Sequence, residues 1–229
     1  MNLLKTIAII SLLTGGISLL IIAIDLLNGH SQKMWIMNIV WPVTGLYAGP
    51  VALIAYYTIG RKSMKKNNNT NQHNANGETK KKPFWQSVAV GTLHCGSDCT
   101  LGDIIAEFGL LIFPFAMLGN KLYGSWVVDY IIAFLIGIMF QYYAIKPMKN
   151  LSPGKAIVAA LKADTLSLTS RQVGMYGWIA ISVFLIFHRR LEATEPLFWF
   201  MMQIGMMLGF LTAYPVNWWL IKSKIKEEM

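Results

Sequence analysis

Charged residues and cysteines are both scarce in this sequence. Only 14% of the 229 residues are charged, 55% are hydrophobic, and Cys95 and Cys99 are the two cysteines. The profile is typical of a membrane protein and argues against an ordinary soluble domain. The chain also lacks a nucleotide-binding loop, G-x-S-x-G, H-E-x-x-H and redox C-x-x-C, which argues against ATP-driven transport by this chain alone.

Long apolar runs predict the fold class. A bilayer core about 30 Å thick requires roughly 20 apolar residues per helix, and six windows approach that length. They are Ile7–Leu27, Ile36–Ile59, Leu101–Leu118, Val127–Ile145, Gly174–Phe187 and Leu197–Leu220. The sequence therefore predicts an all-α polytopic membrane protein of six spans with one or two cytoplasmic interfacial helices, arranged as three hairpins in a pseudo-repeat.

The net charge of +9 is distributed unevenly along the chain. If the N-terminus is cytoplasmic, only Lys33, Lys121, Arg189 and Arg190 of the 20 cations lie outside. This positive-inside pattern predicts both termini in the cytoplasm and a multi-pass protein of the bacterial inner membrane. The charge therefore reports orientation in a lipid bilayer, and nucleic-acid binding is not expected.

Composition divides the chain into four parts. Residues 1–60 are predicted to form a first transmembrane hairpin, and residues 61–83 a basic, Asn-rich cytoplasmic linker without enough apolar surface to order itself. Residues 84–222 form a four-helix membrane domain, and residues 223–229 a cytoplasmic tail.

The start of the membrane domain presents a length problem. A continuous helix from Trp85 to Leu118 would be about 50 Å long, which is too long for one modestly tilted span. We therefore expect a bend at Gly96, with Trp85 to Ser97 interfacial or re-entrant. The segment from Lys155 to Arg171 is amphipathic and is also expected at the interface.

Acidic residues follow the second cysteine at helical spacing. Cys99, Asp103 and Glu107 stand at i, i+4 and i+8, so successive members turn only about 40° and share one face. Carboxylates within a span are costly and mark a pathway or a site. Asp103 and Glu107 are candidates for a proton or cation relay; a structural ion pair, for instance with Arg171, is the alternative. Asp98 is expected to be the N-cap of this helix.

Soft metal ligands stand just before the acids. His94, Cys95 and Cys99 suit Cu(I) or Zn(II). On one unbroken helix His94 would lie about 140° from Cys99, so ligation by all three requires the bend. The alternative is that the two cysteines are small buried hydrophobic residues.

The last apolar run holds further candidates. Met202 and Met206 have a spacing that suits Cu(I), although methionine rows more often serve packing. Gly205 and Gly209 form G-x3-G, which predicts close packing against a helix of a second copy or of a membrane partner. Asn217, in a Pro-kinked aromatic segment, is a candidate that points inward.

Three motifs carry a resemblance to a known family. "HCGSDCTLGDIIAE" (His94 to Glu107), "ADTLSLTSRQVGMYGW" (Ala163 to Trp178) and "YPVNWW" (Tyr214 to Trp219) resemble those of an uncharacterised family of bacterial inner-membrane proteins, a domain of unknown function. The resemblance implies that His94, Cys95, Cys99, Asp103 and Asp164 belong to the family signature. It implies no activity.

The sequence favours a transporter or channel for a soft metal ion, Cu(I) ahead of Zn(II). Cys and His residues would capture the ion, and the carboxylates would relay charge. The chain would then not be an enzyme. One alternative is a membrane thiol oxidoreductase that works with a quinone and uses Cys95 and Cys99 as its dithiol. Another is an assembly or sensor subunit whose last helix binds a partner.

Overall fold

The computed structural model describes residues 2–32, 34–61, 83–149 and 153–228. Within these ranges the chain is helical, without β-strands. The helices are α1 (Asn2–Leu27), α2 (Met37–Ala48), α3 (Pro50–Ala55, continued by a π-helical turn Tyr56–Gly60), α4 (Phe84–Ile112), α5 (Lys121–Lys149), α6 (Pro153–Ile181, continued by a π-helical turn Ser182–Ile186) and α7 (Pro196–Lys222). Most of the predicted linker lies outside the described residues.

Three of the described helices are long and apolar enough to cross a membrane. They are Leu3–Leu27 in α1, Lys121–Ala144 in α5 and Pro196–Lys222 in α7. Helices α4 and α6 have the same length as α5, 29 residues. Both helices carry buried ionisable side chains, Asp98 and Asp103 in α4 and Asp164 and Arg171 in α6, which lower their hydropathy.

Helices α4 to α7 form a four-helix bundle with α4 at its centre. Each helix packs on the next, and α4 also packs on α7 and on α2. All ten residues from Gly91 to Thr100 are buried, so every face of this part of α4 meets protein. The short side chains of this segment permit such close packing, because glycine, serine and cysteine leave room for neighbouring helices.

Helix α4 is unbroken, so the expected bend at Gly96 is wrong. A Cβ atom at Gly96 would lie 2.6 Å from the Tyr47 hydroxyl and 2.7 Å from a guanidinium nitrogen of Arg171. This glycine is therefore needed for close packing. Asp98 consequently lies mid-helix and is not an N-cap.

The predicted interfacial helix from Lys155 to Arg171 is likewise part of a longer helix. Helix α6 continues from Pro153 to Ile181, and Asp164, Leu168 and Arg171 on it are fully buried. Two of the charges that made the segment look amphipathic, Asp164 and Arg171, thus lie inside the bundle, whereas Lys162 is exposed.

Residues 37–60 form a helical hairpin, not one spanning helix. Helix α2 ends before Gly49, which has φ 53° and ψ −129°, and α3 begins at Pro50. Such a backbone conformation is readily available only to glycine. Gly49 lies against Thr14 and Gly15, halfway along α1.

The second arm of the hairpin ends beside the same end of α1 at which the first arm begins. The Tyr56 hydroxyl donates to Asp25 near the end of α1 at 2.7 Å, and Arg61 pairs with the same carboxylate at 3.0 Å. The rings of Trp41 and Tyr56 pack edge to face across the two arms. The prediction of a single span over Ile36–Ile59 is therefore wrong.

Helices α1 and α7 run in parallel. Ser11 donates to Gln203 at 2.8 Å, and the charge of Lys5 acts on Glu195, just before α7. We call the end where α1 and α7 finish the C-terminal end, and the other the opposite end. The two termini of the described chain lie at different ends of the bundle, whereas the prediction of six spans placed both termini on one side.

Candidate metal and cation site

A column of polar side chains follows α4 through the bundle. From Gly91 to Glu107 it extends about 24 Å at 1.5 Å per residue, which is most of the thickness of a bilayer core. Its members are all buried: His94, Cys95, Asp98, Cys99, Asp103 and Glu107. The spacing predicted from sequence is thus present on one helix, whereas what the column does stays a prediction.

Three potential metal ligands meet in the middle of this column. One ligand atom from each of Cys95, Asp98 and Cys99 lies within 4.8 Å of the other two, and all three residues are buried. Positions i, i+3 and i+4 share a helix face, so an unbroken helix brings them together. Two zinc–sulfur bonds of about 2.3 Å reach about 4.6 Å between their sulfurs, so small side-chain rotations suffice for joint ligation.

His94 is not part of this group. Its ring packs edge to face on Phe140 of α5, with 5.7 Å between centroids. Neither ring nitrogen has a hydrogen-bond partner within the described residues. Because α4 does not bend, His94 faces away, and Asp98 takes the place that sequence reasoning gave to the histidine.

A second carboxylate, Asp164 of α6, approaches Asp98 from across the bundle. A Cβ atom at Gly137 of α5 would collide with Asp164 and lie 3.0 Å from Oδ2 of Asp98. Gly137 thus leaves space that both carboxylates share. Neither Asp164 oxygen accepts a hydrogen bond from any described residue, so Asp164 is an unpaired carboxyl beside the ligand group that can accept a proton.

A buried arginine lies beside the ligand group. Arg171 of α6 donates from Nη2 to the carbonyl oxygen of Met206 at 3.2 Å and contacts its Sδ at 3.7 Å. Its guanidinium lies 5.5 Å from the ring centroid of Tyr47. Its Nε and Nη1 have no partner in the described part of the chain. Arg171 is therefore a fixed positive charge near several acids, with no close ion pair among the described residues.

The two methionines predicted as soft ligands have different surroundings. The Met206 sulfur is already in contact with Arg171 and accepts from Thr100 at 3.6 Å. Met202 lines a cavity of about 20 Å³ and a side cleft of about 310 Å³. Neither joins the group of three ligands.

The predicted relay residues continue the column toward the opposite end. Asp103 lies near Arg171 and Gln172, but its two oxygens accept no hydrogen bond from the residues described. Glu107 pairs with Arg190 at 3.5 Å. The alternative structural ion pair thus exists at Glu107, with a different arginine from the one expected.

Sequence reasoning missed a further acid at this end. Asp129 of α5 is only 2% exposed and lines the 20 Å³ cavity together with Glu107. That volume holds about one water molecule. A mouth of about 180 Å³, lined by Glu107, Lys121, Arg190 and Glu192, adjoins Glu107. A charged vestibule therefore leads to the start of the column.

An exposed ion pair marks the turn before α7. Arg189 donates two hydrogen bonds to Glu195, at 2.7 and 2.6 Å. This pairing lowers the pKa of Glu195 to about 2. The carboxylate therefore stays charged down to strongly acidic pH.

At the C-terminal end the column finishes in a neutral polar group and a lysine. Asn217 points inward, as the sequence suggested, and accepts hydrogen bonds from Ser167 at 3.0 Å and from Lys226 at 2.7 Å. Nothing in the sequence predicts that Lys226 is buried, since lysines near the end of a last helix are ordinarily exposed.

The predicted partner-binding glycines are used within the chain. A Cβ atom at Gly209 would lie 2.9 Å from the carbonyl oxygen of Arg171, and one at Gly205 would lie 3.1 Å from the Met175 side chain. Helix α6 therefore occupies the face that was expected to receive a second copy or a partner helix.

Comparison with known proteins gives a family and no activity. No curated protein and no solved structure matches the chain significantly. The family described as a domain of unknown function (DUF4396) matches residues 84–226, which comprise α4 to α7 and the segment with Lys226. That match spans more than half of the sequence and includes the whole column, and the chain therefore belongs to the DUF4396 family.

Proposed function

We propose that the protein is a membrane transporter or channel that moves a soft metal cation, Cu(I) ahead of Zn(II), along the polar column of α4. One observation supports this most directly: two thiols and a carboxylate lie within 4.8 Å of one another in the buried middle of a helical bundle. Soft thiolate ligands favour Cu(I) and zinc over hard cations.

The proposed topology has five crossing helices, α1 and α4 to α7, with α2 and α3 as a re-entrant hairpin. Helices α4 and α6 cross because their polar side chains face the bundle interior. The C-terminal end faces the cytoplasm, since it carries Arg61, Lys222 and Lys224, and the lysine-rich linker begins there. The N-terminus then lies outside.

The acids would complete the transport cycle. Thiols lose their protons when a metal binds, and carboxylates of the column outside the ligand group, Asp164 and Asp103, would receive them. Arg171 would compensate the acidic charge while no metal is present. Asp103, Asp129 and Glu107 then form the predicted relay toward the vestibule.

Metal titration tests the proposal. Reduced, detergent-purified protein is expected to bind about one Cu(I) per chain. Cys95→Ser and Cys99→Ser should each weaken binding at least about a hundredfold, because loss of an outer-shell contact alone costs 10- to 100-fold. His94→Asn should retain binding, since the ring lies outside the ligand group.

Flux measurements complete the test. Proteoliposomes with wild-type protein should take up Cu(I), and the double variant Cys95→Ser, Cys99→Ser should not. Absence of binding by the wild type, or uptake that is unchanged in the double variant, would overturn the proposal.

A membrane thiol oxidoreductase is the second candidate, and the side cleft favours it. This largely apolar cleft of about 310 Å³ reaches Tyr47 and Asp103, whose polar atoms lack partners among the described residues. In this reaction the two thiols would lose two electrons and two protons to a quinone, forming a disulfide and a quinol. It ranks second because Cβ atoms one turn apart are about 5–6 Å apart, whereas a disulfide requires about 3.5–4.5 Å.

Thiol counting distinguishes the two candidates. Incubation with a water-soluble ubiquinone analogue should leave two free thiols per chain if the protein is a transporter. Stoichiometric loss of both thiols, with formation of the quinol, would favour the oxidoreductase. The Cys99→Ser variant should form no quinol in either case.

A further inference from the structure

The segment after α7 folds back into the bundle. Lys224 has a positive φ of 56°, and the amides of Ile225 and Lys226 donate to the carbonyl of Leu220 at 3.0 and 3.2 Å. This turn satisfies carbonyls at the helix end and directs the next side chain inward. Lys226 is consequently 1% exposed.

The ammonium group of Lys226 occupies a cage of oxygen atoms. Its Nζ donates to Oδ1 of Asn217 at 2.7 Å, to Oγ of Ser167 at 3.2 Å and to the carbonyl oxygen of Gly91 at 3.3 Å. These oxygens come from three different helices, α4, α6 and α7. None of the three groups is ionised, so the lysine is not bound by a direct ion pair in this cage.

The cage adjoins the metal ligand group. Ser167 lies beside Cys95, and the charge of Lys226 acts on Cys95, Asp98 and Asp164. A lone buried ammonium is costly unless its hydrogen bonds are satisfied and acids are near. Here all three of its protons have an oxygen acceptor, and carboxylates of the column lie near.

We infer that the cage of Gly91, Ser167 and Asn217 is a cation site at the C-terminal end of the column, and that Lys226 is a tethered cation that closes it. The lysine both fills the space and repels a cation approaching from that end. Passage to or from Cys95 requires the segment 223–228 to swing out. The part of this inference that concerns metal passage rests on the proposed function. The closure of the column by Lys226 does not depend on that function.

Cysteine labelling in the full-length protein tests the closure. In a Cys99→Ser background Cys95 is the single cysteine, and inside-out vesicles present the C-terminal end to a membrane-impermeant, cationic methanethiosulfonate reagent. Lys226→Met retains an unbranched apolar side chain and removes the charge. It should raise the labelling rate of Cys95 at least about tenfold, since hydrogen bonds to a charged group each contribute more than that factor.

Two further variants keep the result interpretable. Lys222→Met removes a cation from the exposed last turn of α7 and should leave the rate unchanged. Asn217→Asp places a carboxylate 2.7 Å from the ammonium and should lower the rate. The closure is refuted if Cys95 is labelled no faster in Lys226→Met than in the parent, or if Lys222→Met accelerates labelling equally. Comparable thermal stability in detergent shows that each variant is folded.

The outcomes separate the two proposals. Faster labelling in Lys226→Met without Cu(I) uptake by the parent protein would retain the closure and refute metal transport. Cu(I) uptake by the parent protein, together with a labelling rate that Lys226→Met does not change, would retain metal transport and refute the closure. Lys226→Met in the wild-type background should increase Cu(I) flux if both proposals hold.

Discussion

An epitope placed before Met1 is expected to be accessible to antibody on intact cells, whereas an epitope after Met229 should become accessible only after permeabilisation. The expectation follows from the helical hairpin at residues 37–60. Because Tyr56 and Arg61 return to Asp25 at the end of α1, the hairpin adds no crossing in the proposed topology, and its five crossing helices would place the two termini on different sides.

Epitopes at other positions provide internal controls. One inserted in the linker, for example after Asn68, should behave like the C-terminal epitope, because the linker follows Arg61 directly. One inserted after Glu192, in the loop between α6 and α7, should behave like the N-terminal epitope. Protection of both termini in intact cells would contradict the five-crossing topology and restore an even number of spans.

Gly102→Ala is expected to destabilise the bundle strongly. A Cβ atom at this position would lie 2.6 Å from Cα and 2.7 Å from the backbone nitrogen of Ala133. Backbone atoms cannot rotate away, so α4 and α5 would have to separate along their contact. Overpacking of this kind costs about 1–3 kcal/mol or more, which should appear as a clearly lower thermal midpoint in detergent.

Gly109→Ala is the matched control, seven residues further along the same helix. No atom of the described residues lies within 4 Å of its hypothetical Cβ, and alanine is favoured over glycine in a helix by about 1 kcal/mol. Its thermal midpoint should equal or exceed that of the parent. Similar midpoints for the two variants would show that α4 and α5 do not meet as closely at Ala133 as described.

The helical class and the apolar helices α1, α5 and α7 were predictable from hydropathy. The hairpin was not, because a mainly apolar window of 24 residues, Ile36–Ile59, has the same mean hydropathy whether it crosses or turns back. A local signal was nevertheless present: Gly49 followed by Pro50 is a dipeptide that marks turns. The long run of apolar residues outweighed it.

The candidate site was predictable where it depends only on helix periodicity. Cys99, Asp103 and Glu107 do lie along one buried face, as their spacing required. The error concerned Gly96: a bend was assumed there to shorten the helix, and that bend brought in His94 rather than Asp98. Contacts from other helices, such as Asp164 beside Asp98 and Asp129 near Glu107, arise from tertiary packing. The spacing of residues within one helix does not predict which residues of another helix will lie beside it.

The burial of α4 on every side from Gly91 to Thr100 has a consequence for how the chain enters a bilayer. A lone helix with His94, Asp98 and Asp103 partitions poorly into lipid, since each ionisable residue near its centre costs about 2.5–3.5 kcal/mol on insertion scales. Helix α6, with Asp164 and Arg171, has the same difficulty. We therefore expect α4 to be retained beside the insertion machinery until α5 to α7 have been synthesised, so that membrane integration and tertiary folding of this domain occur as one event.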